Sequence, residues 1–347
     1  MSGGAGAAAG ASGAAAAAGG VGAAGGAGAL LGEFDVVVHD ARVVATDVML
    51  LDLRAPDGSA LPAWSPGAHL DVQVQPGVSR QYSLCGDPAD PSRYLVAVLR
   101  EPDGRGGSEH VHTHVSPGTV LRVRAPQNHF ELVPPAPGAS YLFVAGGIGI
   151  TPLLSMMRAV ALAGASFRLE YAGRALERMP FVDELVAEFG ERVSVHTGQE
   201  GRRIDLSALD VPPGTLVYCC GPARMLTELE ALAASAEWPA GTLHLERFEA
   251  REVAEPVRHE SFEVELELTG TTVTVPPDRS ILDVVEEAGV LVLSSCREGT
   301  CGTCETPVVS GEVDHRDSVL TPEEQDANET MMICVSRAAC PRLVLEL

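Results

Sequence analysis

The 347-residue chain has 24 basic residues, every one of them Arg, against 47 acidic residues, for a net charge of −23; at roughly 100–200 residues per domain it holds about two or three domains. The absence of lysine excludes a P-loop ATPase, a Schiff-base enzyme and a pyridoxal-phosphate enzyme, each of which needs a primary amine at a fixed place. The negative charge makes nucleic acid a poor partner, because binding a phosphate backbone requires cationic side chains.

In chain order, residues 1–32 are expected to form a disordered tail. The first 30 positions hold 14 Ala and 11 Gly, too little side chain to offset the entropy of ordering. No basic start precedes a compact apolar stretch, so no signal peptide is expected. Residues 33–134 show short alternating runs, Val36–His39, Leu70–Val74, Tyr94–Leu99 and Val120–Val123, separated by Pro, Gly and Asp turns, as in an antiparallel β-barrel. Over 135–250 strand-like runs (Tyr141–Ala145, Arg168–Tyr171, Arg192–His196, Leu216–Cys219) alternate with helical ones (Leu153–Leu162, Phe181–Glu188, Ala223–Ala234), the pattern of an α/β domain with a doubly wound parallel sheet. The uncharged stretch Leu132 to Met157 is not a membrane span, because four Pro and four Gly break it. Residues 251–260 are charged and contain Pro, as a linker does. In 261–347, Phe262–Leu268 and Thr272–Val275 alternate like a hairpin, and Ser280–Ala288 is a helix with a Ser cap.

Four motifs carry chemistry. Arg80-Gln81-Tyr82-Ser83 places an Arg for a phosphate, an aromatic for an isoalloxazine face and a hydroxyl for the N5 edge of a flavin. Gly146-Gly147-Ile148-Gly149-Ile150-Thr151-Pro152 joins a strand to a helix, where glycines let a pyrophosphate approach the backbone; a close-packed turn is the alternative. Cys220-Gly221-Pro222 ends another strand, and its small thiol suits a nicotinamide ring; a strand-end turn with a buried thiol is the alternative. Cys296, Cys301, Cys304 and Cys334 have the plant-type spacing of a [2Fe–2S] cluster, C-x4-C-x2-C with the fourth ligand far downstream. Zinc sites usually use two close pairs, and only one is present. Gly299 and Gly302 let the loop curl so that backbone N–H groups face the sulfurs. Cys85, Cys219 and Cys340 read as small buried hydrophobes, and the clustering of the other cysteines points to a reducing cytosol.

These motifs, with Gly104–Ser108 between the first two, resemble in identity and order the phthalate dioxygenase reductase family, which includes the reductase component of vanillate O-demethylase. The likeness runs from Phe34 to the C-terminus. It implies an FMN-binding barrel, an NAD-binding domain and a plant-type ferredoxin domain of the β-grasp type. It further implies that Arg80 binds the FMN phosphate, Tyr82 contacts the ring and Ser83 bonds N5, while Gly106, Gly107 and Ser108 open a helix onto the phosphate. Asn128 and Phe130 match a polar–aromatic pair at the end of the barrel. Phe248 resembles the aromatic that shields the flavin until nicotinamide displaces it, although Arg247 stands where a small hydroxyl residue is expected. His110, His112 and His114 fall in a helix in that family, where they would not share one face. Glu263, Glu265 and Glu267 read as the solvent side of an edge strand.

The function so implied is an NADH-dependent oxidoreductase that passes electrons singly from FMN through the [2Fe–2S] cluster to a Rieske-type oxygenase acting on an aromatic acid. An acceptor of the cytochrome P450 or carnitine-type oxygenase class stays open, as does a redox sensor without turnover. Arg174, Arg202 and Arg203 are candidates to hold a 2′-phosphate, the feature that would favour NADPH. A cytosolic monomer with no membrane partner is expected.

Overall fold

The computed structural model describes residues 1, 32–136, 138–199, 201, 203–251 and 255–347. The expected tail, apart from Met1 and Gly32, lies outside them.

The first unit is built from β1 (Glu33–Ala45), β2 (Val48–Arg54), β3 (His69–Gln75), β4 (Val78–Ser83), β5 (Tyr94–Leu99), the helix α1 (Gly107–His114) and β6 (Val120–Arg124). The strands pair antiparallel in the order β4-β3-β6-β1-β2-β5, and a bridge from Leu84 to Val96 joins the two edges and closes the barrel. Tight turns set the register. Gly77 between β3 and β4 has φ +74°, which only glycine adopts without strain.

The second unit contains β7 (Ser140–Gly146), α2 (Ile150–Leu162), β8 (Ser166–Gly173), α3 (Val182–Phe189), β9 (Val193–Thr197), β10 (Thr215–Cys220), α4 (Ala223–Ser235) and β11 (Leu243–Glu246). All its strands are parallel, in the order β11-β10-β7-β8-β9. The chain therefore winds outward in both directions from β7, and the switch point lies between β7 and β10, where open α/β sheets bind ligands. Helix α2 is buried almost all round. One side packs on the sheet, and the other meets Val48, Leu50, Cys85 and Ala97 of the barrel, so barrel and sheet share one apolar core.

The third unit holds β12 (Phe262–Leu266), β13 (Thr271–Val275), α5 (Ile281–Glu287), β14 (Glu305–Ser310), β15 (Val313–Asp314), α6 (Pro322–Ala327), β16 (Thr330–Met332), β17 (Arg337–Ala338) and β18 (Arg342–Leu345). A mixed five-stranded sheet, β13-β12-β18-β14-β16, is packed against α5. Ser280 starts α5 with a capping box in which its Oγ accepts from the Asp283 N–H.

Two readings from sequence need correction. Strand β12 is not an edge strand, because β18 pairs with it on the side away from β13. Its glutamates do lie on the wet side, with Arg342 bonded to Glu265 and 3.9 Å from Glu263. Cys340 is only partly buried, its thiol donating to the Arg342 carbonyl at 3.0 Å, whereas Cys85 and Cys219 are fully enclosed. Among the described residues no helix is long and apolar enough to cross a membrane.

Candidate functional site

The barrel presents the first group of expected residues around the N-terminus of α1. Gly106 stands before the helix with φ +79°. The Arg80 side chain lies so close to Gly107 that a Cβ there would fall 2.9 Å from its Cγ, which sets a guanidinium beside free helix N–H groups, a fit for a phosphate. Burial, then the neighbouring Arg105, pulls the Arg80 pKa down, a strain that an anion would relieve. The Ser108 Oγ is already engaged, accepting from the Glu101 N–H at 3.1 Å. Next along β4, the Tyr82 Oη and the Ser83 Oγ are buried with no partner among the described residues. Two such unpaired polar atoms on consecutive residues at the end of β4 leave hydrogen bonds for a bound ring to satisfy, which fits a flavin.

Asn128 is bound up in the barrel. Its amide donates to the Ser65 Oγ (2.8 Å) and the Pro66 carbonyl (3.0 Å) and accepts from the Phe130 N–H (3.0 Å), and Phe130 packs on Tyr218 at 5.6 Å. In α1, the His110 and His114 rings stack at 4.4 Å, while His112 turns inward to the Val98 carbonyl at 2.9 Å. The three do not share one face, although two of them do.

At the switch point the two glycine turns meet. A Cβ on Gly146 would lie 2.4 Å from the Pro222 ring, and one on Gly149 would lie 2.2 Å from the Cys220 carbonyl oxygen. Backbone cannot yield as a side chain tip does, so Gly149→Ala is expected to cost about 1–3 kcal/mol or more. Thermal unfolding checks this, and an unchanged midpoint would contradict the packing. The Thr151 Oγ1 donates to the Ile148 carbonyl (3.0 Å), Pro152 is buried in the first turn of α2, and Tyr171 on β8 donates to the Gly147 carbonyl (3.0 Å). Tyr171, unmarked in sequence because it reads as a strand aromatic, thus fixes the height of the loop. Arg174 is exposed just beyond β8, Arg203 is exposed in a loop, and Arg202 lies outside the described residues.

Cys220 is fully buried, and its parallel neighbour across β10 and β11 is Glu246. Burial pushes Glu246 up to about 8 against the opposing effect of the Cys220 thiol, and the Glu246 Oε2 has no hydrogen-bond partner among the described residues. Because the folded pKa is the higher one, stability is full below the ordinary value of 4.5 and is lost as pH rises through about 8. Glu246→Gln should remove that part of the slope. Denaturant unfolding at about pH 5 and about pH 8.5 should show wild type losing more stability than the variant, and equal losses would contradict a neutral buried carboxyl. Two residues on, Phe248 is 46% exposed. Burial, then the like charge of Glu249, pushes the Glu101 carboxyl up against the opposing pull of the Arg80 guanidinium. Arg247, unexpected at its position, is buried and paired with Glu230 of α4 at 2.7 Å.

Cys296, Cys301, Cys304 and Cys334 are 3–7% exposed. The thiols stand close enough together that Cys301 and Cys334 hold the Cys296 thiol well below its ordinary range. The Glu298 and Thr300 N–H groups donate to the Cys296 Sγ at 3.3 and 3.4 Å. Gly299 and Gly302 have φ +71° and +74°, and a Cβ on Gly302 would lie 2.2 Å from the His129 ring of the barrel. Four converging thiols with amides aimed at one sulfur fit a [2Fe–2S] cluster, and Gly302 marks where the loop presses on the flavin-bearing barrel.

Comparison with known proteins agrees with this geometry. The family model described as "2Fe-2S iron-sulfur cluster binding domain" matches residues 264–339. The chain is 41% identical over 322 residues to "Phenoxybenzoate dioxygenase subunit beta" of Ectopseudomonas oleovorans, covering 92% of this chain and 99% of that one. Among solved structures, it matches the one titled "Phthalate dioxygenase reductase: a modular structure for electron transfer from pyridine nucleotides to [2Fe-2S]" with a TM-score of 0.66 and 40% identity, covering 91% of this chain and 98% of the other. An intact type IV self-sufficient cytochrome P450 monooxygenase matches with a TM-score of 0.84 and 45% identity; 91% of this chain is covered, but it spans only 41% of that polypeptide.

Proposed function

The chain belongs to the phthalate dioxygenase reductase family, and from that footing we propose that it is the NADH-dependent FMN and [2Fe–2S] reductase of an oxygenase system. The observation that carries this is the meeting of four buried thiols with the barrel that bears the partnerless Tyr82 and Ser83.

When bound, FMN takes electrons from NADH as a hydride and the [2Fe–2S] cluster carries them one at a time, which reconciles a two-electron donor with a one-electron acceptor. Arg80 and the first turn of α1 neutralise the FMN phosphate. Tyr82 and Ser83, whose hydroxyls have no partner among the described residues, would hold the isoalloxazine ring. The Gly146–Gly149 turn leaves room for the pyrophosphate of NADH, and Tyr171 holds that turn in place. Cys220 and Glu246 form a buried wall, uncharged below about pH 8, that excludes water where the nicotinamide lies. Phe248, exposed beyond β11, would shield the flavin ring. Amides of the 296–301 loop moderate the charge of the cluster.

The acceptor is an oxygenase protein, and we favour a Rieske-type enzyme encoded as a separate chain. Residues 261–347 carry 17 acids and 5 Arg, a field that steers a basic patch on the acceptor towards the cluster. The match to a self-sufficient P450 favours a second reading, in which the acceptor is a haem protein. A cytosolic location and a monomeric state belong to the same proposal.

The test is an absorption spectrum of the purified protein with acid extraction of its flavin, iron and sulfide analysis, and titration with NADH and NADPH. One FMN to two irons and two sulfides, and reduction by NADH at a lower concentration than NADPH, are expected. A protein without flavin or iron after anaerobic isolation and reconstitution would contradict the reading.

A further inference from the structure

One residue of the flavin strand has no part in holding flavin. Gln81 lies between Arg80 and Tyr82, and strand alternation turns it away from both, to the face it shares with Ser83 at the last position of the strand, but its amide is already engaged there. Its register partner on β3 is Asp71, so both side chains stand on that side, and the Gln81 Nε2 donates to the Asp71 Oδ1. The same nitrogen donates to the Oγ of Ser295, the residue before the first cluster cysteine. From the cluster loop, the Thr303 Oγ1 donates to the Gln127 Oε1 at 3.1 Å and reaches the Asp71 Oδ2 at 3.5 Å. Arg124 extends the seam, its Nη1 donating to the Ser294 carbonyl at 2.9 Å and lying 3.7 Å from Asp71. Asp71 and Thr303 are 4% and 9% exposed. This is a buried polar patch between two domains, and its bond from Gln81 to Ser295 ties the residue between Arg80 and Tyr82 to the one before a cluster cysteine.

An apolar seam would hold the two domains together but would tolerate sliding. Directional hydrogen bonds, costly to leave unmade when buried, select one register. We propose that Gln81, Asp71 and Thr303 are positioning residues that fix the cluster loop against the flavin strand and so set the rate at which an electron crosses. The inference rests on the function proposed above. In the step concerned, reduced flavin loses one electron and the oxidised cluster gains it, the reductant being NADH.

The experiment compares full-length Gln81→Leu and Thr303→Val, which keep side-chain volume but remove the hydrogen bonds, with Thr303→Ser, which keeps the hydroxyl. Rapid mixing with NADH follows flavin and cluster separately, ferricyanide reads turnover at the flavin, and deuterium exchange reads the backbone of residues 294–304. In both Gln81→Leu and Thr303→Val, flavin reduction and ferricyanide turnover should match wild type, while cluster reduction slows by about 10- to 100-fold, the scale of loss when reacting groups shift by about 1 Å. Exchange over 294–304 should rise, and Thr303→Ser should restore both readouts. Iron and flavin contents are measured in each variant, and the one that retains both decides if the other does not. Wild-type cluster reduction and exchange in the variants would overturn the inference while leaving the proposed function standing. Equal slowing of ferricyanide turnover and cluster reduction would also overturn it, by revealing general disruption. A wild-type cluster that NADH never reduces would overturn function and inference together.

Discussion

Cys301→Ser is expected to reduce ferricyanide from NADH at the wild-type rate while its reduction of cytochrome c falls by roughly 100-fold or more, as when an obligatory group is removed. Cys301 is 3% exposed, and the neighbouring Cys296, then burial, push its thiol up. Serine occupies the same space but offers a hard oxygen that stays protonated where the thiol gives up its proton, so one iron loses a soft anionic ligand. The barrel and the parallel sheet share a core in which the cluster loop has no part. Hydride transfer to flavin, and onward transfer to a small two-sided acceptor such as ferricyanide, should therefore survive. Assays with both acceptors on the same preparation check this, and an equal loss of the two activities would contradict a serial relay.

Arg80→Ala is expected to weaken FMN binding by about 10- to 100-fold, the equivalent of one charge-assisted hydrogen bond at about 1.5–3 kcal/mol. Only two described groups accept from its guanidinium, the Ser79 carbonyl at 2.7 Å and the Arg105 carbonyl at 3.5 Å. Neither is anionic, and burial and the like charge of Arg105 outweigh the more distant Glu298 and Glu101. A phosphate supplies a counter-charge in direct contact. Equilibrium dialysis against FMN and against riboflavin checks the assignment, because the variant should lose affinity for the phosphate-bearing ligand alone. An equal loss for both would place Arg80 at the ring instead.

How much of this was legible in the sequence depends on the range of the interaction concerned. The three cysteines of one loop, the glycines that let it curl and the Ser280 cap are local patterns, and the structure has them as read. Long-range pairing was not legible. Alternation in Phe262–Leu268 gave the correct wet face of β12, but β18, its second neighbour, is nearly eighty residues further on, so the strand read as an edge. Glu246 escaped notice for the same reason, since only the parallel register of β10 and β11 brings it beside Cys220. Asn128 fell in a matching motif, yet its amide is spent on the barrel itself, a competition for hydrogen bonds that no spacing reveals. The seam around Gln81 joins residues 214 apart, which is contact between domains and has no signature along the chain.

The central claim is that electrons enter as a pair at a flavin and leave singly through the iron–sulfur loop. Anaerobic rapid mixing of the intact protein with NADH, read by absorbance and by paramagnetic resonance of samples frozen over the time course, tests it most directly. The relay requires flavin absorbance to bleach first, followed by the signal of a reduced [2Fe–2S] cluster as part of the flavin colour returns. A flavin that bleaches completely and stays bleached beside an oxidised cluster, or a cluster reduced equally fast in protein stripped of flavin, would contradict it.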